Sequence, residues 1–363
     1  MAKVVVGLSG GVDSSVAAYL LKQAGHEVIG VTMQIWQEEE NSIQEENGGC
    51  CGLSAVEDAR RVAAMLEIPY YVMNFRSEFK EAVIDYFVAE YKAGRTPNPC
   101  IACNRYVKWE SLYQRAREIG ADCIATGHYS QIVKLPNGRY ALQKSVTDAK
   151  DQTYALYNLT QEHLEHTMMP VGAYSKDEIR RIAEEIGLLV ANKPDSMEIC
   201  FVPDDDYASF IEDYTGESFP EGNFVNTAGE VLGKHKGIIH YTVGQRKGLG
   251  IALGARAFVK EIRPEANEVV LATNEELFSD TVYADRVNFM SIPNLTEPME
   301  VVAKIRYNHK GAKAVISMVD DDLLMVKFEE PQRAITPGQA VVLYDGDVVV
   351  GGATILSDTF PKR

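Results

Sequence analysis

The chain lacks any long apolar run. No stretch approaches the ~18 residues a bilayer-spanning helix needs, and the short segment Val4-Val5-Val6 runs straight into glycine and aspartate with no signal-peptide cleavage pattern. Internal repeats and low-complexity tracts are absent as well. With 46% apolar and 24% charged residues the composition is ordinary, which excludes a disordered or collagen-like chain. Six cysteines in 363 residues are too few for a small disulfide scaffold. These absences predict a soluble, cytoplasmic protein with no membrane partner, and the length suggests two to three domains.

Basic residues are also scarce, 36 against 52 acidic ones, for a net charge of −16. Taken alone, this argues against a nucleic-acid partner, because phosphate binding relies on Lys and Arg. The distribution points the other way. Residues 203–230 carry eight acids and no base, whereas 92–117 carry six bases (Lys92, Arg95, Arg105, Lys108, Arg115, Arg117) against Glu110 alone. Residues 300–313 carry Lys304, Arg306, Lys310 and Lys313 against Glu300. Two local basic stretches on an acidic chain could be solvated faces or a nucleic-acid footprint.

Over the first ~200 residues strands alternate with helices. The pattern predicts strands at 3–7, 27–33, 70–75 and 123–126, and helices at 14–24, 54–66, 77–93 and 104–119. Such alternation predicts a doubly wound parallel sheet, with ligands at the carboxyl ends of its strands. Residues 34–52 are polar and Gly-rich and read as a loop. From about Thr281 short strand-like runs are separated by turns such as Asp345-Gly346, which predicts a small antiparallel barrel. The expected domains are 1–202, 203–278 and 279–363.

Between the first strand and first helix lies Gly7-Leu8-Ser9-Gly10-Gly11-Val12-Asp13-Ser14-Ser15. Adjacent glycines allow a tight turn, consecutive N–H groups then face an anion, and the helix N-terminus adds its dipole. Asp13 is out of place at an anion site unless a cation bridges it to phosphates, which implies Mg²⁺. The loop is neither a Walker A sequence nor a dinucleotide fingerprint. It resembles the PP-loop of ATP pyrophosphatases, which implies that ATP is split between its α and β phosphates to adenylate a substrate oxygen.

Thr96-Pro97-Asn98-Pro99-Cys100-Ile101-Ala102-Cys103-Asn104 reads as a proline-braced loop entering a helix. Cys103 would sit near a helix N-terminus with Arg105 and Lys108 close by, surroundings that favour a thiolate. Cys200 closes the segment 195–200 at the end of the expected nucleotide domain and could face Cys103. A structural zinc site or two buried thiols would use the same residues. Cys123 begins a strand and reads as packing, and no role is assigned to Cys50 or Cys51. His128 follows Gly127 at a strand's carboxyl end, where ligands bind.

Loop and cysteines together resemble the bacterial tRNA-specific 2-thiouridylase family nearly end to end, through SGGVDSS, GCCGLSAVEDARRVA, GRTPNPCIACNRYVKW, ATGHY, KDQTYAL, KPDSMEICFV and GKHKGIIHYTVGQRKGLGI. The resemblance implies a PP-loop domain, a small central tRNA-contacting domain and a C-terminal β-barrel. It implies ATP-dependent replacement of the C2 oxygen of a wobble uridine by sulfur. Gly7, Leu8, Ser9, Gly10, Gly11, Val12, Asp13 and Ser14 would hold the ATP phosphates, with Met33 and Gly127 against the adenosine. Cys103 would be the nucleophile, and Cys200 would carry a persulfide charged by a donor such as a cysteine desulfurase or sulfur relay protein. Asn98, Pro99 and Cys100 would border the target base. His128, Lys150, Asp151, Gln152, Arg306, Tyr307 and Gln339 would touch the tRNA anticodon arm.

Many members of the family have aspartate where this chain has Cys100. A thiol does not copy a carboxylate's acid–base role, since its reference pKa is near 8.5. Two chemistries follow: persulfide transfer with Cys100 a bystander, or an iron–sulfur cluster on Cys100, Cys103 and Cys200. Competing classes are an ATP-dependent adenylating ligase, which would need no paired cysteines, and a nucleotide-binding or sulfur-carrier module.

Overall fold

The structure is a computed structural model that describes residues 1–35, 53–194, 199–202, 206–251 and 256–360. The expected loop 34–52 beyond Ile35, Cys50, Cys51 and residues 195–198 of the second cysteine segment lie outside the described residues. The chain divides into two compact units. One comprises Met1–Ile84, Cys100–Pro203 and Asp347–Val349; the other comprises Asp85–Pro99, Asp204–Gly346 and Val350–Arg363. Among the described residues no helix is long and apolar enough to cross a membrane.

The first unit contains strands β1 (Lys3–Gly7), β2 (Glu27–Gln34), β3 (Tyr70–Asn74), β4 (Cys123–Ala125), a hairpin of β5 (Ser130–Lys134) and β6 (Tyr140–Lys144), and β7 (Thr167–Met168). Five of them form one sheet in the order β3-β2-β1-β4-β7, with every pair parallel. Val4, Val5 and Val6 are wholly buried, as a central parallel strand covered on both faces requires. Helices α1 (Val12–Gln23) and α2 (Leu53–Met65) contribute Val16, Ala17, Ala59 and Val62 to that core.

Helix α3 runs through Arg76–Phe79, Lys80–Asp85 and Tyr86–Lys92. Helix α4 runs through Pro99–Ala102, Cys103–Leu112 and Tyr113–Glu118. The middle section of each is π-helical, with i→i+5 bonding. Helix α4 begins five residues before the expected start at Asn104. Pro99 explains the shift: at a first helical position its missing N–H costs nothing and its φ is preset for helix. Helix α5 (Lys176–Glu185) is capped by Ser175 and Glu178 in a reciprocal capping box.

In the second unit, α6 (Tyr207–Thr215) places Tyr207 against Tyr91 with ring centroids 4.7 Å apart, so residues 85–99 pack here and not with the sheet that precedes them in sequence. A four-stranded sheet of β8 (Gly222–Val225), β9 (Val231–His235), β10 (Phe258–Arg263) and β11 (Glu268–Ala272) has the order β10-β11-β8-β9. Strands β12 (Phe278–Phe289), β13 (Met299–Lys304), β14 (Ala312–Asp320), β15 (Leu323–Arg333), β16 (Ala340–Asp345) and β17 (Val348–Ser357) follow. Their order β12-β15-β14-β13-β16-β17 closes through a β12–β17 pairing. Alternate residues such as Val282, Ala284, Ile316, Val326, Leu343 and Ile355 fill the barrel.

Candidate active site

In the sheet of the first unit, strand order reverses between β1 and β4, so the carboxyl ends of these two strands flank the crevice where ligands bind in such sheets. The glycine-rich loop leaves β1 there, and Thr126-Gly127-His128 leaves β4 there. Gly10 has φ +69°, a left-handed conformation that glycine adopts without strain. Gly11 precedes α1 with no side chain capping the first turn, so the first-turn N–H groups are not claimed by a side-chain cap. Ser14 Oγ accepts from Ser9 N at 3.2 Å, which curls the loop over the helix end. A Cβ on Gly127 would lie 2.6 Å from Ser14 N, so only glycine lets the β4 end come this close to the loop. Leu8 and Val12 are buried beneath the loop, and Met33 lies half-buried at the carboxyl end of β2, beside the same strand ends.

Asp13 has partners that the sequence did not mark. Lys176 Nζ donates to both of its carboxylate oxygens at 2.8 Å, and Tyr129 OH donates to Oδ1 at 2.6 Å. The capping box of α5 fixes Lys176 at the first position of that helix. The carboxylate is therefore paired with a lysine inside the protein. A second lysine, Lys193, donates to Gly10 O at 3.2 Å and to Asp58 at 2.8 Å. Sequence reasoning missed Lys176, Lys193 and Tyr129. The capping box Ser175-x-x-Glu178 was a legible sign of a helix start, but nothing local marked Asp13 as its partner.

Helix α4 carries Cys103 in its second turn, half-buried, while Cys100 and Cys200 are exposed. The π-helical section brings residues five apart onto one side. Arg105 pairs with Glu110 at 2.8 Å, and Ser111 Oγ donates to Tyr106 O at 2.9 Å. Lys108 lies on this helix and donates to Asn104 Oδ1 at 2.8 Å, while Asn104 Nδ2 donates to Ala155 O at 2.9 Å. Lys108 Nζ also lies 3.5 Å from His128 Nε2. Burial, and then the Lys108 charge, hold the His128 pKa well below its usual value, so the ring is neutral at pH 7. An ammonium has no acceptor to offer, so Nε2 carries the lone pair and Nδ1–H donates to Thr126 Oγ1, 2.7 Å away. Burial pushes the Cys123 thiol pKa up, in keeping with a packing role.

Among the described residues, no three Cys, His, Asp or Glu side chains come together as a metal-holding group.

The residues expected at RNA divide into two sorts. Arg306 and Tyr307 are exposed, and Lys150 is partly so. Asp151 is 7% exposed and is used internally, accepting from Ser145 N at 3.3 Å and from Thr153 Oγ1 at 2.6 Å. Gln152 Oε1 accepts from Tyr129 N at 2.9 Å. Gln339 Nε2 donates to Thr96 O at 2.8 Å, bracing the residues just before Asn98 and the buried Pro99. These three amide and carboxylate groups hold backbone in place. Of the six bases over 92–117, five are paired with carboxylates: Lys92 with Glu217, Arg95 with Glu90, Arg105 with Glu110, Arg115 with Glu78 and Arg117 with Glu162. Lys108 has no ion-pair partner among the described residues.

An open helix N-terminus at a parallel-sheet switch point, crossed by a glycine-rich loop, defines a nucleotide-binding α/β protein. Residues 2–204 match the model described as the tRNA methyl transferase HUP domain, 208–273 its PRC-barrel domain, and 279–355 the aminomethyltransferase β-barrel domain. A protein of Lachnoclostridium phytofermentans named tRNA-specific 2-thiouridylase MnmA is 70% identical over 98% of this chain and 100% of its own length. One of the same name from Clostridioides difficile is 59% identical over 97% of this chain and 98% of its own. The chain belongs to the tRNA-specific 2-thiouridylase family. Among solved structures, a 4-thiouridine synthetase–RNA complex with bound ATP aligns over 53% of this chain and 43% of that one, at 22% identity and a TM-score of 0.32.

Proposed function

We propose that this protein is an ATP-dependent tRNA sulfurtransferase that converts the wobble uridine to 2-thiouridine. The observation that carries the reading is the juxtaposition, within one unit, of the phosphate loop at the β1 end and the cysteine-bearing helix α4. The contact of Lys108 with His128 bridges the two. Gly7 to Ser14 receive the triphosphate, with Met33 and Gly127 beside the adenosine. Asn98, Pro99 and Cys100 border the uridine, which must be flipped out because its C2 oxygen is unreachable in a stack.

The C2 oxygen attacks the α-phosphorus. The bond to the β-phosphate oxygen breaks with its electron pair, and pyrophosphate leaves. The N3 proton passes to water, leaving a neutral O-adenylated base. Cys200, loaded as a persulfide by an external donor protein, attacks C2 through its terminal sulfur, and AMP departs. The Cys103 thiolate then attacks Cys200 Sγ. The sulfur–sulfur bond to the base breaks, 2-thiouridine is released, and Cys103 and Cys200 are joined as a disulfide that an external thiol reduces. Arg306 and Tyr307 contact the RNA directly. Lys150 faces it, and Asp151, Gln152 and Gln339 shape the backbone around it.

The test is thiolation of unmodified tRNA by metal-free protein with ATP and a persulfide donor, read on a mercury-containing gel. An ATP-dependent retarded band is expected. Cys103→Ser and Cys200→Ser should each abolish the band while retaining ATP binding. Full thiolation by either variant would sink the assignment, and activity independent of both cysteines would point to an adenylating ligase.

A further inference from the structure

Adenylation concentrates negative charge at the α-phosphoryl group as the C2 oxygen attacks and pyrophosphate leaves, and a positive charge there stabilises it. Helix N-termini offer only partial charge. Two of the lysines at the loop are already committed: Lys176 to Asp13, and Lys193 to Asp58 and Gly10 O. Neither is available without stripping a carboxylate of its partner.

Lys108 differs in each respect. It makes no ion pair among the described residues, although the five other bases of its stretch all do. Its two neighbours, Asn104 Oδ1 at 2.8 Å and His128 Nε2 at 3.5 Å, are both neutral, so its charge is aimed without being cancelled. Its position follows from the helix. The π-helical section Cys103–Leu112 sets residue i+5 about one turn above residue i, which stacks Lys108 over Cys103 and beside Asn104. On its other side, His128 is bonded in sequence to Gly127, and Gly127 abuts Ser14 N at the open end of α1. The His128 side chain and the Gly127 backbone thus link this ammonium to the phosphate loop. His128 cannot compete for a phosphate's proton or charge: its ring is braced by Thr126 and lies against Trp109, ring centroids 5.5 Å apart.

We propose that Lys108 is a catalytic residue of the adenylation step, its ammonium donating to the α-phosphoryl oxygens on the side from which the uridine oxygen arrives, with His128 and Asn104 as the positioning residues that aim it. This assignment rests on the thiolation reading. It adds to that reading a cation dedicated to the α-phosphorus and carried by the same helix as Cys103.

The experiment is tRNA-dependent pyrophosphate release at saturating ATP and tRNA, alongside ATP affinity by calorimetry and the thermal melt. Removing one preorganised donor to a transition-state oxyanion costs about 10²–10³ in rate. Lys108→Met should therefore lower pyrophosphate release about 100-fold while ATP affinity changes less than about threefold. Lys108→Arg, which keeps the charge, should recover about tenfold of that loss. If the methionine variant fails to fold, Lys108→Gln, which still donates to Asn104, takes its place. A variant within threefold of wild type in pyrophosphate release overturns the proposal, as does a loss confined to ATP affinity. No pyrophosphate release by the wild-type protein with any tRNA overturns the thiolation reading itself and this assignment with it.

Discussion

Lys176→Met removes the partner that neutralises Asp13 and leaves a carboxylate in the first turn of α1, where a triphosphate is expected. At 2.8 Å with an effective dielectric near 20, the gross attraction of the pair is about 6 kcal/mol. Desolvation offsets much of it. The two side chains are 11% and 27% exposed, so the net loss of stability should be about 2 kcal/mol, below the ~3–5 kcal/mol for breaking fully buried pairs. The sharper readout is ATP affinity. An uncompensated charge about 6 Å from a phosphate, in a dielectric of roughly 20–80, repels by about 0.7–2.8 kcal/mol, which centres on a tenfold loss of affinity. Asp13→Asn in the Lys176→Met background removes that repulsion and should restore ATP binding to within about twofold of wild type. Calorimetry with the two single variants and the double variant forms a closed cycle. If the double variant binds ATP as weakly as Lys176→Met, then Lys176 contacts phosphate itself and the neutralisation argument fails. Asp13→Asn alone should leave the Mg²⁺ dependence of ATP binding unchanged, because its oxygens already serve Lys176 and Tyr129.

Gly127→Ala puts a methyl 2.6 Å from Ser14 N and should weaken ATP binding at least tenfold by displacing the start of α1; wild-type affinity would contradict the close approach. Asp151→Ala strands the Ser145 N–H and the Thr153 hydroxyl in a buried setting, a cost of about 2 kcal/mol or a melting shift of about 4–8 °C. Lost tRNA affinity at an unchanged melting temperature would instead make Asp151 a direct RNA contact. Burial holds the His163 pKa at about 4, below the ordinary 6.5, so the folded state resists protonation there. Its contribution is complete above pH 6.5 and drains as pH falls towards 4, the loss amounting to about 2 kcal/mol by pH 5. His163→Asn, whose side-chain oxygen can still accept from Thr160 N, should flatten that part of a pH–stability curve measured between pH 7 and 5.

Much of the first unit was legible because its cues are local. Val4-Val5-Val6 followed by Gly7 to Ser15 specifies a buried strand, a tight turn and an open helix end without reference to the rest of the chain. The hairpin β5–β6 went unread because its strands are short and half-buried and its turn, around Pro136-Asn137-Gly138, follows a nucleotide-domain pattern that predicts helices. Helix α4 starts earlier than its apolar pattern because Pro99, which reads equally as a brace of the preceding loop, is favoured in a first helical turn. What pattern reading cannot supply is pairing across sequence. Lys176 lies 163 residues from Asp13, and no periodicity links them. The same limit hid the packing of residues 85–99 against α6, since Tyr91 and Tyr207 lie far apart in sequence and no local pattern joins them.

Pairing also changes what the charge distribution means. By sequence, two basic stretches looked equivalent as RNA footprints on a chain of charge −16. In the structure the first is largely spent, five of its six cations facing carboxylates within hydrogen-bonding distance. Exposed pairs of this kind contribute little to stability, but they cancel the field that would draw a phosphate backbone. The second stretch keeps its charge. Lys304 lies 5.6 Å from the Tyr344 ring centroid, Arg306 donates only to Arg333 O, and neither has a carboxylate partner among the described residues. The proposed docking of tRNA would therefore draw its long-range attraction from residues 300–313. The one base of residues 92–117 without an ion pair among the described residues, Lys108, is half-buried against Asn104 and His128 in the first unit, a placement that suits the chemistry proposed for it better than docking.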